Sequence, residues 1–228
     1  MDGIDIKKLN SEIFSYDYGV DNQEKIRLEV MLKMVGTGKK VLDVGCRDGT
    51  IAKLIEGLGN KVEGVEISEY SIKKAQEKGI KVYDCDLNGS WAEKVGSGYD
   101  LVFAGEVLEH VFETDSFLSN INRVLKPSGK LILSTPNMAS LGRRLLLLFG
   151  KNPRTELTTR DGLAGHVRYF VYEPLKKIIE ENGFKVIGFT SDVINFTNTG
   201  VPCSAKLAQI FPTFGRSLIF EAEKIREV

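Results

Sequence analysis

The chain contains two histidines, His110 and His166, and the first stands in the run FAGEVLEHV with Glu106 and Glu109. If Glu106 opens a helical turn, Glu109 and His110 follow at i+3 and i+4, and the three side chains share one face. Two carboxylates and two imidazoles match the donor set of a divalent cation. Oxygen donors suit magnesium or manganese, and imidazole tolerates manganese, iron or zinc. A cation held by Glu106, Glu109, His110 and His166 would lower the pKa of a bound hydroxyl and prepare an oxygen nucleophile. Without a cation, two carboxylates at short range raise the pKa of one of them. A second reading makes His110 or His166 a general base without metal, since an imidazole with a pKa near ~6.5 takes a proton at neutral pH. A third reading leaves the cluster structural. The residues alone leave all three open.

A second group of residues has the chemistry of a nucleoside site. The run VLDVGCRDG, Val41 to Gly49, joins an apolar segment to a helical pattern. Glycine at such a junction allows a tight turn and a close approach of backbone to ligand. Asp43 precedes Gly45 and Gly49, a spacing that differs from the dinucleotide fingerprint G-x-G-x-x-G. Glu66 ends the next apolar segment, VEGVEIS, where a carboxylate can accept the hydroxyls of a ribose. Asp86 ends the one after, YDCDLN, within reach of an adenine amino group. Any one of these acids alone reads as a solvated loop residue. Three at the ends of three consecutive segments point to a site.

The elements that must position these residues follow from periodicity. Residues 20–35 carry apolar positions among charges and predict an amphipathic helix. Strands are expected at 39–44, 61–67, 80–85, 99–104 and 130–135. Helices are expected at 50–58, 68–78 and 116–125, and Pro127-Ser128-Gly129 reads as a turn. Strands alternating with helices imply βαβ crossovers and a mainly parallel sheet, covered on both faces where runs such as LVFA and LILS are continuously apolar. After Pro136 the rhythm breaks. A leucine-rich helix is expected over 138–149, followed by a polar stretch. A helix at 174–182 and strands at 184–190 and 217–222 close the chain.

These segments together resemble class I S-adenosylmethionine-dependent methyltransferases, closest to the group that includes the ubiquinone-biosynthesis O-methyltransferases. The matching stretches are VLDVGCRDG, VEGVEIS, YDCDLN, YDLVFAGEVLEHV, RVLKPSGKLILSTPN and GHVRYF, and they span roughly residues 39–183. The resemblance implies an α/β fold: a Rossmann-like three-layer sandwich with a seven-stranded, mostly parallel sheet whose last strand is antiparallel. It implies a single methyltransferase domain over 1–228, with an N-terminal helical lid at 1–38 and a cofactor-binding core at 39–136. A substrate or lid insertion would occupy 137–172 and the rest of the sheet 173–228. It implies S-adenosylmethionine as cofactor, its methionine moiety near Asp43 and Gly45, its ribose on Glu66 and its adenine near Ile67, Asp86 and Leu87. Cys46, Gly49 and Gly105 complete the expected contact set. The pattern E-x-x-E-H with a later histidine also resembles metal-dependent O-methyltransferases, among them the small-RNA ribose 2′-O-methyltransferases. One departure is clear: the family's GCGxG has Arg47 at its middle glycine, which sets the expectation of a negative φ there and a side chain turned away from the cofactor.

The expected activity is methyl transfer to a hydroxyl of a small molecule. The alternatives are a non-catalytic S-adenosylmethionine-binding module and an RNA-terminal ribose O-methyltransferase. Lys+Arg and Asp+Glu both number 31 among 228 residues, so nucleic acid is not the expected partner, although Arg143, Arg144, Lys151, Arg154 and Arg160 form a local basic stretch. The helix 138–149, MASLGRRLLLLF, is expected as a lid or core helix over the site. Its sharper reading is contact with a membrane or lipidic substrate. Tyr16, Tyr18 and the insertion are expected to fold over the cofactor. Cys46, Cys85 and Cys203 give neither a disulfide framework nor a cysteine zinc site. With no signal-like segment and no apolar run of ~18 residues, a cytoplasmic location is the default.

Overall fold

The computed structural model describes residues 22–153, 165–196 and 203–228. Seven strands form one sheet: β1 (Lys40–Val44), β2 (Lys61–Glu66), β3 (Lys81–Asp84), β4 (Tyr99–Gly105), β5 (Leu125–Pro136), β6 (Phe184–Thr190) and β7 (Ser217–Lys224). Their order is β3-β2-β1-β4-β5-β7-β6. The first five pair in parallel, and β7 runs antiparallel to both β5 and β6. This is the expected Rossmann-like sheet with its last strand antiparallel.

Alternation along the central strands explains the three layers. Val41, Leu101, Phe103, Ile132 and Ile219 face one core, while Leu42, Val102, Ala104, Leu131, Leu133 and Phe220 face the other. The first core is closed by α1 (Asn22–Val35), α2 (Thr50–Gly57) and α3 (Glu69–Glu77), which contribute Leu28, Met31, Leu32, Ala52, Ile55 and Ala75. The second is closed by α4 (Ala92–Val95), α5 (Thr114–Val124) and α7 (Tyr172–Glu181), which contribute Val95, Phe117, Leu118, Ile121, Leu175 and Ile179. A sheet buried on both faces needs apolar residues at nearly every strand position, as these strands have.

Several boundaries differ from the sequence reading. Strand β3 stops at Asp84, so Asp86 lies in the loop beyond the strand rather than at its end. Strand β5 already pairs at Leu125 and then shifts register, so the Lys126–Gly129 turn is an excursion within one strand. Helix α1 buries Met31, Leu32 and Val35 almost completely as a layer of the sandwich, and the rest of the expected lid, residues 1–21, lies outside the described residues. Tyr16 and Tyr18 lie outside the described residues, as do Arg154 and Arg160. The leucine-rich segment forms α6 (Leu141–Leu148), shorter than expected and with Leu145, Leu147, Leu148 and Phe149 exposed, so it is not a buried core helix. A small ribbon, Ile194–Asn195 with Cys203–Ser204, and α8 (Ala205–Ile210) follow β6. Both are too short to show a period in sequence. No helix among the described residues is long and apolar enough to cross a membrane.

Candidate functional site

Strand order reverses at β1, whose neighbours are β2 and β4. Ligands in open parallel sheets bind beyond the carboxyl ends of the strands at such a point. The loop leaving β1 turns at Gly45, with φ 73°, and its N–H donates to the Val65 carbonyl at 2.8 Å. A Cβ on Gly45 would lie 2.7 Å from Val107 Cγ2, so the loop after β1 and the loop after β4 touch there. Gly49 also has positive φ, and a Cβ on it would meet Ala75 of α3 at 2.9 Å. Its absence of side chain serves the packing of α2 on α3. Cys46 is buried with its sulfur against Gly64, where a Cβ would stand 2.4 Å away, and burial pushes its thiol pKa up. Only the backbone of Cys46 is left to face a ligand.

Arg47 contradicts the expectation of a negative φ. Its φ is 48°, the left-handed conformation that a glycine would take without strain. Its N–H donates to Glu66 Oε2 at 3.0 Å, and the side chain is exposed. The arginine therefore bears the cost of a conformation that a glycine would take without strain.

Three carboxylates surround this turn in different ways. Asp43 is buried in β1, with Oδ2 making no hydrogen bond. Burial first, and the Glu66 charge second, raise its pKa to about 7. Glu66 is anchored by three backbone donors: Ile67 and Ser68 to Oε1, both at 2.9 Å, and Arg47 to Oε2. A carboxylate has about four acceptor positions, so one remains for a further strong hydrogen bond in this conformation. Asp86 is exposed and accepts from the backbone and side chain of Asn88. Ile67 stands beside Glu66 with 58% of its surface exposed, and Leu87 packs against the core at its inner side. Ile67 thus leaves an apolar face open beside the Glu66 carboxylate. Gly105 ends β4 without positive φ, and a Cβ there would meet only ordinary or slightly tight contacts.

The acid and histidine cluster forms differently from the sequence expectation. Glu106 takes φ 56°, so no helical turn starts there, and only Leu108–His110 makes a single 3-10 turn. The Glu106 side chain faces Ser134, whose Oγ donates at 2.9 Å, and Arg27 of α1, whose Nη1 lies 3.2 Å from Oε2. Glu109, His110 and His166 do come together, with potential ligand atoms all within 4.8 Å of one another, and Glu106 is not among them. The two imidazole rings lie 4.8 Å apart, tilted by 60°. His166 is carried there by its own segment: the N–H groups of Val167 and Arg168 both donate to the Glu109 carbonyl, at 2.9 and 3.1 Å.

Glu109 is 1% exposed. Thr135 Oγ1 donates to its Oε2 at 2.9 Å, while Oε1 has no hydrogen bond and lies 3.8 Å from His166 Nε2. Burial, then the Glu106 charge, raise its pKa to about 8. Its proton is held more tightly than that of a solvated carboxyl.

With this geometry in view, the comparisons with known proteins are direct. Residues 21–188 match the family described as a methyltransferase domain. The chain belongs to that family. The human mitochondrial ubiquinone biosynthesis O-methyltransferase is 32% identical over 158 residues, 65% of this chain and 42% of the relative. The Thiobacillus denitrificans ubiquinone biosynthesis O-methyltransferase is 31% identical over 163 residues, 69% of each chain. This methyltransferase-family chain thus spans less than half the length of the human relative. Among solved structures, an S-adenosylmethionine-dependent methyltransferase from Mesorhizobium loti has a TM-score of 0.61 at 17% identity, covering 89% of this chain and 98% of that one. That likeness concerns the fold.

The sequence reading missed Arg27, Ser134 and Thr135. Ser134 and Thr135 carried a signal, since two hydroxyls at the carboxyl end of an otherwise apolar strand stand where a site is expected. Arg27 carried none, being one charge among many on an amphipathic helix.

Proposed function

We propose that the chain is an S-adenosylmethionine-dependent methyltransferase acting on a hydroxyl of a small molecule. The observation that carries this reading is the contact of Gly45 with Val107. It sets the glycine turn and its carboxylates directly beside the loop that bears Glu109 and His110.

The donor and acceptor set around the turn supports a role for S-adenosylmethionine. Gly45 lets the turn pass against Val107, and the unpartnered Asp43 Oδ2 offers a buried acceptor toward an ammonium. Glu66, with Asp86, Ile67 and Leu87, offers hydroxyl acceptors and a flat apolar flank for the nucleoside. Gly49 supports the turn from behind, and Gly105 ends β4 beside Glu106. When bound, the cofactor supplies an electrophilic methyl group on its sulfonium.

The chain's own work is to hold the acceptor in line and remove its proton. His110 and His166 suit that proton transfer, because burial raises the Glu109 pKa and favours an imidazole over this carboxyl as the proton acceptor. An imidazolium formed at His166 would stand 3.8 Å from Glu109 Oε1, an oxygen that can stabilise the new charge. The same three side chains are the candidate ligands of a divalent cation, with the unpartnered Glu109 Oε1 as its carboxylate donor. The acceptor would then be an oxygen able to reach a metal, such as a catechol or vicinal diol. The names of the relatives, ubiquinone biosynthesis O-methyltransferases, favour an oxygen acceptor. The neutral net charge favours a small molecule over RNA.

The test is turnover with a catechol acceptor, measured as demethylated cofactor, together with binding of that product. His110→Ala and His166→Ala are expected to lower kcat by about 10²–10⁴-fold while leaving product affinity unchanged. A loss below about threefold in both variants would remove the cluster from the chemistry. Loss of activity with a chelator, restored by magnesium or manganese, would assign the metal form of the site.

A further inference from the structure

Hydrogen bonds run from the loop after β3 to the segment that carries His166. Asp86 Oδ1 accepts from the backbone N–H and the side-chain Nδ2 of Asn88, at 2.9 and 3.1 Å. Asn88 Oδ1 accepts from the Phe112 N–H at 2.8 Å. An amide suits this position, because its nitrogen donates to one loop while its oxygen accepts from the other, which a carboxylate cannot do. The Phe112 carbonyl in turn accepts from the Arg168 guanidinium. The Arg168 N–H donates to the Glu109 carbonyl at 3.1 Å, beside that of Val167. Arg168 therefore grips the loop after β4 twice, with its backbone on Glu109 and its side chain on Phe112.

Apolar packing does little for this segment. Gly165, Val167, Arg168 and Tyr169 are exposed. The buried residue that follows them is Phe170, whose carbonyl accepts from the Met138 N–H at 2.9 Å. A stretch of chain with no buried apolar face is held by its hydrogen bonds and opens when they are lost. His166 stands just before the gripped residues, with its ring 4.8 Å from that of His110. The grip of Arg168 thus bears on where the His166 ring stands.

We propose that Asn88 and Arg168 are positioning residues that tie the Asp86 loop to His166 through the Phe112 backbone. The inference rests on the methyltransferase reading above, in which Asp86 meets the cofactor's nucleoside and His166 moves the acceptor's proton. A nucleoside that orders the Asp86 loop then tightens the loop after β4 and, with it, the histidine segment. Cofactor binding and the placing of the base become one event.

The test is amide hydrogen exchange of residues 165–170 in the full chain, with and without the demethylated cofactor, alongside turnover with the catechol acceptor. Arg168→Ala is expected to speed exchange at Val167 about tenfold, and Asn88→Ala about fivefold, with the melting point unchanged in both. The demethylated cofactor is expected to slow that exchange about fivefold in wild type and not in Asn88→Ala. In turnover, Arg168→Ala should lower kcat about 10–100-fold with product affinity within about twofold, and Arg168→Lys, which keeps a cationic donor, should recover most of the loss. Because the links are in series, Asn88→Ala combined with Arg168→Ala should lose no more than Arg168→Ala alone. Equal exchange at Val167 in wild type and Arg168→Ala would overturn the proposal, as would losses that multiply in the double variant. So would an unchanged kcat in Arg168→Ala when His166→Ala is inactive. Faster exchange in Arg168→Ala, beside a His166→Ala variant that turns over like wild type, would support the link and refute the part given to His166 in the chemistry.

Discussion

Replacing Glu109 by Gln should make the protein more stable at pH 8 and leave it nearly unchanged at pH 5. Gln keeps an oxygen that accepts from Thr135 Oγ1 and removes only the ability to ionise. The wild-type carboxyl titrates near 8 in the folded chain, against about 4.3 when unfolded. The folded state therefore holds the proton more tightly, and between these values the unfolded state binds fewer protons. Stability from this group is fully present below the unfolded pKa and is lost as pH rises through the window to about 8. Each pH unit within that window costs at most about 1.4 kcal/mol, so the full shift bounds the loss at about 4–5 kcal/mol. Relaxation of the Arg27–Glu106 pair and rotation of His166 toward the carboxylate reduce this to roughly 1–3 kcal/mol. In a chain of this length about 1 kcal/mol moves Tm by ~2–4 °C, so the variant should melt roughly 2–12 °C above wild type at pH 8. Urea or thermal unfolding at pH 5, 6.5 and 8, compared as a difference between the two proteins, reads this directly. A Glu109→Gln variant destabilised equally at all three values would refute the buried, proton-holding carboxyl.

Arg47→Gly should stabilise the fold by about 0.5–1 kcal/mol, the left-handed penalty of ~1–2 kcal/mol less the added chain entropy of glycine. A melting point lowered by the change would mean that the arginine side chain has a role of its own. Asp43 predicts a pH dependence of cofactor binding. Its pKa near 7 is raised by burial, so an ammonium must ionise it, and affinity should fall as pH drops from 8 to 6. Asp43→Asn should flatten that dependence in calorimetric titrations across the range, and a slope retained in the variant would assign it to another group.

The fold was legible because its signals are collective. A sheet covered on both faces forces apolar residues at successive positions of β1, β4 and β5, and that density survives in sequence without any knowledge of the partners. The glycine turn was legible for the same reason at smaller scale, since Gly45, Glu66 and their strands repeat a fixed spacing. The acid and histidine cluster was half legible. Glu109, His110 and His166 meet, but Glu106 leaves them because its backbone enters the left-handed region and its carboxylate finds Ser134 and Arg27. Helical spacing cannot foresee one dihedral that ends the helix, nor a partner 79 residues behind in α1. The same limit applies to Arg47, whose positive φ is set by the turn between β1 and Glu66 rather than by its own preference. The exposure of α6 was not readable either, because a leucine-rich helix looks alike whether a core covers it or leaves it open.

The central claim is that the cradle of Asp43, Gly45 and Glu66 receives S-adenosylmethionine, and calorimetric titration with its demethylated product tests it most directly. The account predicts binding in the micromolar range, about −7 to −8 kcal/mol. It predicts a loss of roughly 1–3 kcal/mol in Glu66→Ala, whose carboxylate no longer meets the ribose. Tight binding of NAD with none of the demethylated cofactor, or an affinity unchanged in Glu66→Ala, would contradict it.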